Sequence, residues 1–214
     1  MNDFLKSEEH RGSLLQGFLM IIYIVGAVGF VLPELKNDFL PLSGVVLYLS
    51  AFVMLLASRN KMDFIMFMVI AFVVGFGAEA IGVNTGYLFG DYSYGTNLGP
   101  KLLGVSIVIG INWGVLALAS ASIINRFVKS ISLKVILSSF LMLAVDLLME
   151  PVAIESGFWS WRGGSIPLYN YICWFIVALF LQWVLFKLKK SETNKVYDTL
   201  LILIVLFFSF LNLY

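Results

Sequence analysis

Histidine and cysteine are almost missing from this sequence of 214 residues, since each occurs once, as His10 and Cys173. A haem, di-iron or zinc enzyme normally binds its metal through several imidazole or thiolate ligands, so the sequence argues against a His-ligated metal centre. A single cysteine forms no internal disulfide. We therefore expect no bound metal.

Charged residues are also scarce. Asp, Glu, Lys and Arg make up 13% of the chain, and the net charge is +1. Such a balance argues against a nucleic-acid partner. The chain contains no P-loop, GxGxxG, GxSxG or HExxH motif. Kinase, dinucleotide-binding and hydrolase functions therefore have no support in the sequence.

Hydrophobic residues are what the chain has in excess, at 60% of the sequence and a mean hydropathy of +0.95. This composition indicates an all-α, polytopic membrane helix bundle, which we expect to form one domain over residues 1–214. We expect the first hydrophobic run to be a retained helix and not a cleaved signal peptide. Seven runs are long enough to span a bilayer, at residues 14–32, 42–57, 62–83, 103–125, 132–150, 168–188 and 197–213.

The positive charges predict how these spans are oriented. Eleven of the fourteen Lys and Arg residues fall in the N-terminal tail and in every second loop after it, and only Lys36, Lys101 and Arg162 fall on the other side. The positive-inside rule then places the N-terminus in the cytoplasm and the C-terminus outside. Both long loops, residues 84–102 and 151–167, would lie on the outer side.

Three carboxylates interrupt or border the hydrophobic runs. Glu79 lies near the outer end of the third span, and Asp146 and Glu150 lie four residues apart in the fifth. Pro151 is expected to end that helix. Carboxylates within a span usually face the bundle interior and mark function. The alternatives are a structural hydrogen bond between helices for Glu79 and Asp146, and simple solvation at the interface for Glu150.

Buried carboxyl groups that lie close together can stay protonated near neutral pH, so one of them can act as a general acid. Proton chemistry is therefore the function that this cluster favours. The catalytic candidates are Asp146, Glu79 and Glu150.

The two long loops are rich in aromatic residues, and the spans beside them carry polar ones. These aromatics either form a belt at the headgroup level or line a re-entrant lid whose rings stabilise a cation. Asn112 either positions water or bonds another helix. The predicted substrate-binding residues are Trp113, Asn112, Tyr87, Phe89, Tyr92, Tyr94, Phe158, Trp159, Trp161 and Asn170.

Three segments resemble the integral-membrane carotenoid biosynthesis proteins of bacteria and archaea, which include carotenoid 1,2-hydratases and bisanhydrobacterioruberin hydratase. They are "EAIGVNTGYLFGDYSYGTNLGPKLLGVSIVIGINW" (79–113), "DLLMEPVAIESGFWSW" (146–161) and "IPLYNYICWF" (166–175), under a third of the chain together. The chain departs from the family pattern at Ser106, where a proline usually follows "GV".

The resemblance implies a cofactor-free hydro-lyase in the inner membrane of a prokaryote. It would add water across the terminal C1=C2 double bond of an acyclic carotenoid such as γ-carotene, lycopene or a bisanhydrobacterioruberin-like chain. Asp146 would donate the proton, Glu79 would hold or deprotonate the water, and Glu150 would tune their proton sharing. The roles of Asp146 and Glu79 could be exchanged. The partners implied are a carotenoid taken laterally from the bilayer, lipid, and other enzymes of the carotenoid pathway.

Two other functions stay open. A small membrane carotenoid cyclase would use the same protonation but trap the cation with an internal double bond. A proton-coupled carrier would use paired intramembrane carboxylates as a relay. A retinal photoreceptor is excluded, because it needs a Schiff-base lysine in the last span and no lysine follows Lys195.

Overall fold

Helices form most of the chain in the computed structural model, which describes residues 2–214 and the side chains from Glu9 onward. The helices are α1 (Asn2–Val31), α2 (Pro33–Phe39), α3 (Ser43–Ala57), α4 (Lys61–Thr85), α5 (Val108–Phe127), α6 (Ile131–Glu155), α7 (Leu168–Lys187) and α8 (Lys195–Leu213).

The predicted seven spans are confirmed within the described residues. Seven helical segments are long and apolar enough to cross a membrane. The second of them, residues 33–57, joins α2 to α3 through a short 3₁₀ turn, so it begins well before the predicted residue 42. Pro33 can start this segment because the first turn of a helix needs no backbone N–H from that position.

The expected end of the fifth span at Glu150 was wrong. Helix α6 continues through Pro151 to Glu155. Proline removes one backbone hydrogen bond, but membrane helices tolerate this loss because neighbouring groups compensate for it. Glu150 is consequently a buried residue within the helix and not a solvated residue at its end; its exposed fraction is 2%.

The two long loops form short strands that meet over one end of the bundle. Strand β1 (Tyr92–Tyr94) pairs antiparallel with β4 (Trp159–Trp161), and β2 (Lys101–Leu102) pairs with β3 (Val105–Ser106). The second pair delays the start of α5 to Val108, whereas the hydrophobic run predicted residue 103. These strands are too short to change the all-α class.

Helix α5 lies at the centre of the bundle. In its most apolar stretch 78% of the residues are buried, against 39% or less in the other six spans. It packs against α3, α4, α6, α7 and α8. Glycines permit this close packing: Gly75 of α4 lies directly against the Trp113 ring, where a Cβ atom would come within 2.4 Å of Trp113 Cγ.

Ion pairs hold the two ends of the bundle. At the end where α4 and α8 begin, Asp63 pairs with Lys190 and Asp198 pairs with Arg126. At the other end Lys36 pairs with Glu155 at 2.7 Å, and Arg162 pairs with Asp91 at 3.0 Å. The charged residues thus lie at the ends that seven alternating spans predict, while the orientation across the membrane stays a prediction.

Candidate active site

The three carboxylates predicted from the sequence line one small cavity beneath the β1–β4 pair. Glu79 comes from α4, and Asp146 and Glu150 come from α6, where a spacing of four residues puts them on one face. Their exposed fractions are 3%, 1% and 2%. The cavity has a volume of about 30 Å³, which is enough for a water molecule.

Glu79 accepts three hydrogen bonds from aromatic side chains. Its Oε2 accepts from the hydroxyl groups of Tyr92 at 2.5 Å and Tyr94 at 2.8 Å. Its Oε1 accepts from Trp113 Nε1 at 3.3 Å. Burial and, next, the charge of Glu79 raise the pKa of both Tyr92 and Tyr94 above the ordinary tyrosine value. The two hydroxyl groups therefore stay protonated and act as donors.

Glu150 is held in the same manner by a different set of donors. Its Oε2 accepts from Trp159 Nε1 at 2.9 Å and from Trp161 Nε1 at 3.3 Å. Its Oε1 accepts from Asn170 Nδ2 at 3.3 Å. Three donors around each of Glu79 and Glu150 offset part of the cost of burying a carboxylate at these two positions.

The β1–β4 pair explains how these donors converge. Tyr92 lies opposite Trp161 and Tyr94 opposite Trp159, with an exposed serine pair, Ser93 and Ser160, between them. Because side chains alternate along a strand, the four rings all point into the bundle while the serines point out. This two-stranded ribbon covers the cavity and binds two of its three carboxylates.

Asp146 differs from the other two carboxylates. Its Oδ2 is fully buried and has no hydrogen-bond partner within the described part of the chain. Buried polar atoms normally have partners, so an unpaired carboxyl oxygen beside a cavity indicates a position for water or for a reacting molecule. Among the three carboxyl groups that line the cavity, Asp146 is thus the one with free hydrogen-bonding capacity.

An amide faces the same space. Asn112 of α5 lines the small cavity, and its side chain makes no hydrogen bond to any of the residues whose side chains are described. Its exposed fraction is only 7%. Asn112 can therefore donate to or accept from a molecule in the cavity.

Tryptophan rings form the wall next to Glu79. Trp113 stacks on Trp174 of α7 with their ring centroids 3.8 Å apart, and Trp174 also lines the cavity. Tyr92 lies against Trp161 with a centroid distance of 5.0 Å. Such faces stabilise a positive charge. Sequence reasoning missed Trp174, because one more aromatic ring in an apolar span carries no distinguishing signal.

A larger apolar cavity of about 380 Å³ adjoins the small one. It lies among α1, α3, α5, α6 and α8. The two cavities share four lining residues, namely Ile109, Asn112, Met149 and Trp159. Ile109 and Met149 were not predicted either, because their apolar side chains look like ordinary core residues in the sequence.

The structure brings eight of the ten predicted substrate-binding residues to these cavities and leaves Trp113 and Tyr87 outside. Trp113 binds Glu79 but lines neither cavity. Phe89 lines the small cavity in a left-handed backbone conformation with φ of 64°, which is strained for a residue with a side chain. Phe158 lines the large cavity. Tyr87 is 78% exposed and lines neither cavity, so it does not belong to the site.

Within the described residues, no His, Cys, Asp and Glu side chains are grouped so that three or more could hold a metal ion. The site offers the chemistry of one unpaired carboxyl group, two hydrogen-bonded carboxylates, an amide and aromatic faces. This set can move a proton, hold water and stabilise a cation.

Comparison with known proteins places this chain in a family. The sequence model of a family described as "Carotenoid biosynthesis protein" matches residues 41–214. Bisanhydrobacterioruberin hydratase of Haloarcula japonica is 26% identical over 114 residues, which cover 47% of this chain and 37% of the hydratase. The chain thus spans little more than a third of that relative. No solved structure matches.

Proposed function

Because the chain belongs to the carotenoid biosynthesis protein family, we propose that it adds water across the terminal C1=C2 double bond of an acyclic carotenoid end. The substrate class is γ-carotene, lycopene or a bisanhydrobacterioruberin-like chain. The observation that carries this proposal is the unpaired Asp146 carboxyl group in a small polar cavity that shares lining residues with a larger apolar one.

Asp146 is the proton donor in this proposal. A carboxylate that accepts three hydrogen bonds is stabilised as the anion, which applies to Glu79 and Glu150. Asp146 lacks such donors and has two negative neighbours. It is therefore the member of the cluster best suited to carry and deliver a proton.

The reaction needs only residues that line the two cavities. The Asp146 proton and the π electrons of the double bond form a new C–H bond at C2, which leaves a tertiary cation at C1. Negative charge on Glu79 and Glu150, together with the faces of Trp159 and Trp174, stabilises this cation. Trp113 supports the Trp174 ring by stacking on it. The substrate end reaches Asp146 past the four residues shared by the two cavities.

Water completes the reaction. A water molecule bound to Asn112 in the small cavity attacks C1 and gives up a proton to Glu79, so the product is a tertiary alcohol. Transfer of that proton from Glu79 to Asp146 restores the starting state. Because Glu79 takes the second proton, the two residues act as a coupled pair. Room for water beside the cation supports hydration over cyclisation.

Co-expression in a host that lacks hydratases tests the proposal. The chain is expressed with a lycopene or γ-carotene pathway, and the pigments are analysed by mass. We expect a product heavier by one water. Asp146→Asn should lower its amount at least about 100-fold at equal protein level, since a general acid contributes roughly 10²–10⁴ to the rate.

The same experiment separates the alternatives. A pigment of unchanged mass but altered retention would support the cyclase. Unchanged pigment throughout, with folded protein present in the membrane, would contradict both enzymes and support the carrier. Hydration that persists in Asp146→Asn would overturn the assignment of the acid.

A further inference from the structure

The large apolar cavity has an open side that faces the lipid. Its lining includes Ile21 and Val25 of α1, which are 63% and 50% exposed. Across from them, Leu42 and Val45, at the beginning of α3, are 47% and 50% exposed. In a membrane-spanning bundle, these side chains meet acyl chains. The mouth of the cavity therefore lies between α1 and α3.

The inner end of the cavity is closed to a polyene. Beyond Ile109, Asn112, Met149 and Trp159 lies the small polar cavity beneath the β1–β4 pair, and its volume of about 30 Å³ is room for about one water molecule. A molecule that enters between α1 and α3 therefore approaches Asp146 with its leading end. A polyene is too large to continue through this space, so its internal double bonds do not reach the acid.

The volume sets how much of a long molecule can enter. At about 380 Å³ the cavity lies near the lower limit of the pockets, roughly 300–1,000 Å³, that enclose drug-sized ligands. A full-length carotenoid is about as long as the hydrocarbon core is thick, roughly 30 Å. Only one end of such a chain fits.

We propose that this cavity takes one end of a linear polyene laterally from the bilayer, between α1 and α3, while the rest of the chain stays among the lipids. The inference rests on the proposed function and deepens it, because the closed inner end restricts the reaction to terminal double bonds. Each binding event then modifies one end, and a symmetric substrate must leave and re-enter before its second end reacts.

A binding measurement tests the cavity separately from the chemistry. Gly26 of α1 lines the cavity, and a Cβ atom there would meet Phe207 at an ordinary contact distance of 3.6 Å. The Cβ atom of a leucine at this position should fit without a clash, and the remaining side-chain atoms should fill part of the cavity. Gly17 is the matched control on the same helix, because it lies outside the cavity and a Cβ atom there meets nothing within 4 Å.

The probe is lycopene in phosphatidylcholine vesicles that contain the full chain. The parent protein for this measurement carries two substitutions. Asp146→Asn stops turnover, and Trp183→Phe removes a tryptophan that is 52% exposed. Binding is read as saturable quenching of the remaining tryptophan fluorescence, with Trp159 next to the bound chain. We expect Gly17→Leu to bind as the parent does and Gly26→Leu to bind at least tenfold more weakly. Val46→Phe, on the opposite wall in α3, should give the same loss.

The outcomes distinguish this inference from the proposed function. Unchanged lycopene binding in both cavity-filling variants, at normal folded protein level, would overturn the inference even if the unmodified chain hydrates lycopene. Binding that both variants weaken would support it even if no hydrated product forms. If one variant fails to fold, the other decides alone. In turnover by the unmodified chain, a doubly hydrated product without a singly hydrated precursor would also overturn it.

Discussion

At the scale of single residues, the donors around Glu79 are what distinguish it from Asp146. Tyr92 and Tyr94 both bind Glu79 Oε2, and both hydroxyl groups stay protonated because burial and the charge of Glu79 raise their pKa. A hydrogen bond to a charged group contributes about 1.5–3 kcal/mol. The tyrosines therefore position Glu79, which in the proposed reaction receives a proton from water.

Removal of one of these donors should slow hydration. We expect Tyr92→Phe to lower the rate about tenfold or more, because about 1.4 kcal/mol corresponds to a factor of ten. Ser93→Ala is the control on the same strand, since Ser93 points out of the bundle. The rate is measured as hydrated pigment formed per folded protein. Equal rates for wild type and Tyr92→Phe would show that Glu79 needs no such support.

Asn112 should control the fate of the cation and not its formation. Its amide makes no hydrogen bond within the described side chains and faces both cavities. In Asn112→Leu the bound water loses a partner, while Asp146 still protonates the substrate. We expect the ratio of hydrated product to isomerised alkene to fall about tenfold, as measured by mass and retention of the pigments. A fall in both products together would instead assign Asn112 to protonation.

At the scale of elements, α4 presents a matched pair of glycines. A Cβ atom on Gly75 would come within 2.4 Å of Trp113, whereas one on Gly77 would meet nothing within 4 Å. We expect Gly75→Ala to displace Trp113 from Glu79 and Trp174 and to abolish most activity. Gly77→Ala should keep activity and stabilise α4 by about 0.5–1 kcal/mol. Activity and thermal unfolding of both variants provide the check, and an active Gly75→Ala enzyme would show that the Trp113 position is dispensable.

The spans and the strands differ in how far the sequence predicts them. A span is visible as a continuous hydrophobic run, and a carboxylate inside that run, such as Asp146, stands out at once. The β1–β4 pair joins two three-residue segments that are more than sixty positions apart. Neither segment has enough alternation to mark it as a strand. The arrangement that binds Glu79 and Glu150 was therefore not predictable from local pattern.

Pro151 is a second position where the local sequence pattern did not predict the structure. Proline usually ends a helix in water, where the freed backbone groups find solvent partners. In α6 the helix continues for four more residues, to Glu155, because the surrounding bundle holds it. That continuation places Glu150 beneath Trp159 and Trp161 instead of at a solvated end. The sequence marked Glu150 as a candidate, but the predicted helix end gave it the wrong environment.

At the scale of the whole molecule, the distribution of charge predicts which side of the membrane the carboxylate cavity faces. In the sequence, eleven of fourteen Lys and Arg residues fall in the N-terminal tail and in the loops on the side opposite the carboxylates. This asymmetry predicts that the carboxylate cavity lies in the outer third of the membrane. Water for the reaction would then come from the outer face, past the β1–β4 pair, while the polyene comes from the lipid.

Reporter fusions test this orientation. Alkaline phosphatase fused after Tyr214 should be active, because that enzyme requires export, and a fluorescent protein fused there should stay dark. The opposite pattern is expected for insertions after Val128, in the connection between α5 and α6. Activity of the full chain in each fusion confirms that the bundle is intact. If both patterns are reversed, the carboxylates lie in the cytoplasmic leaflet, and hydration would draw its water from the cell interior.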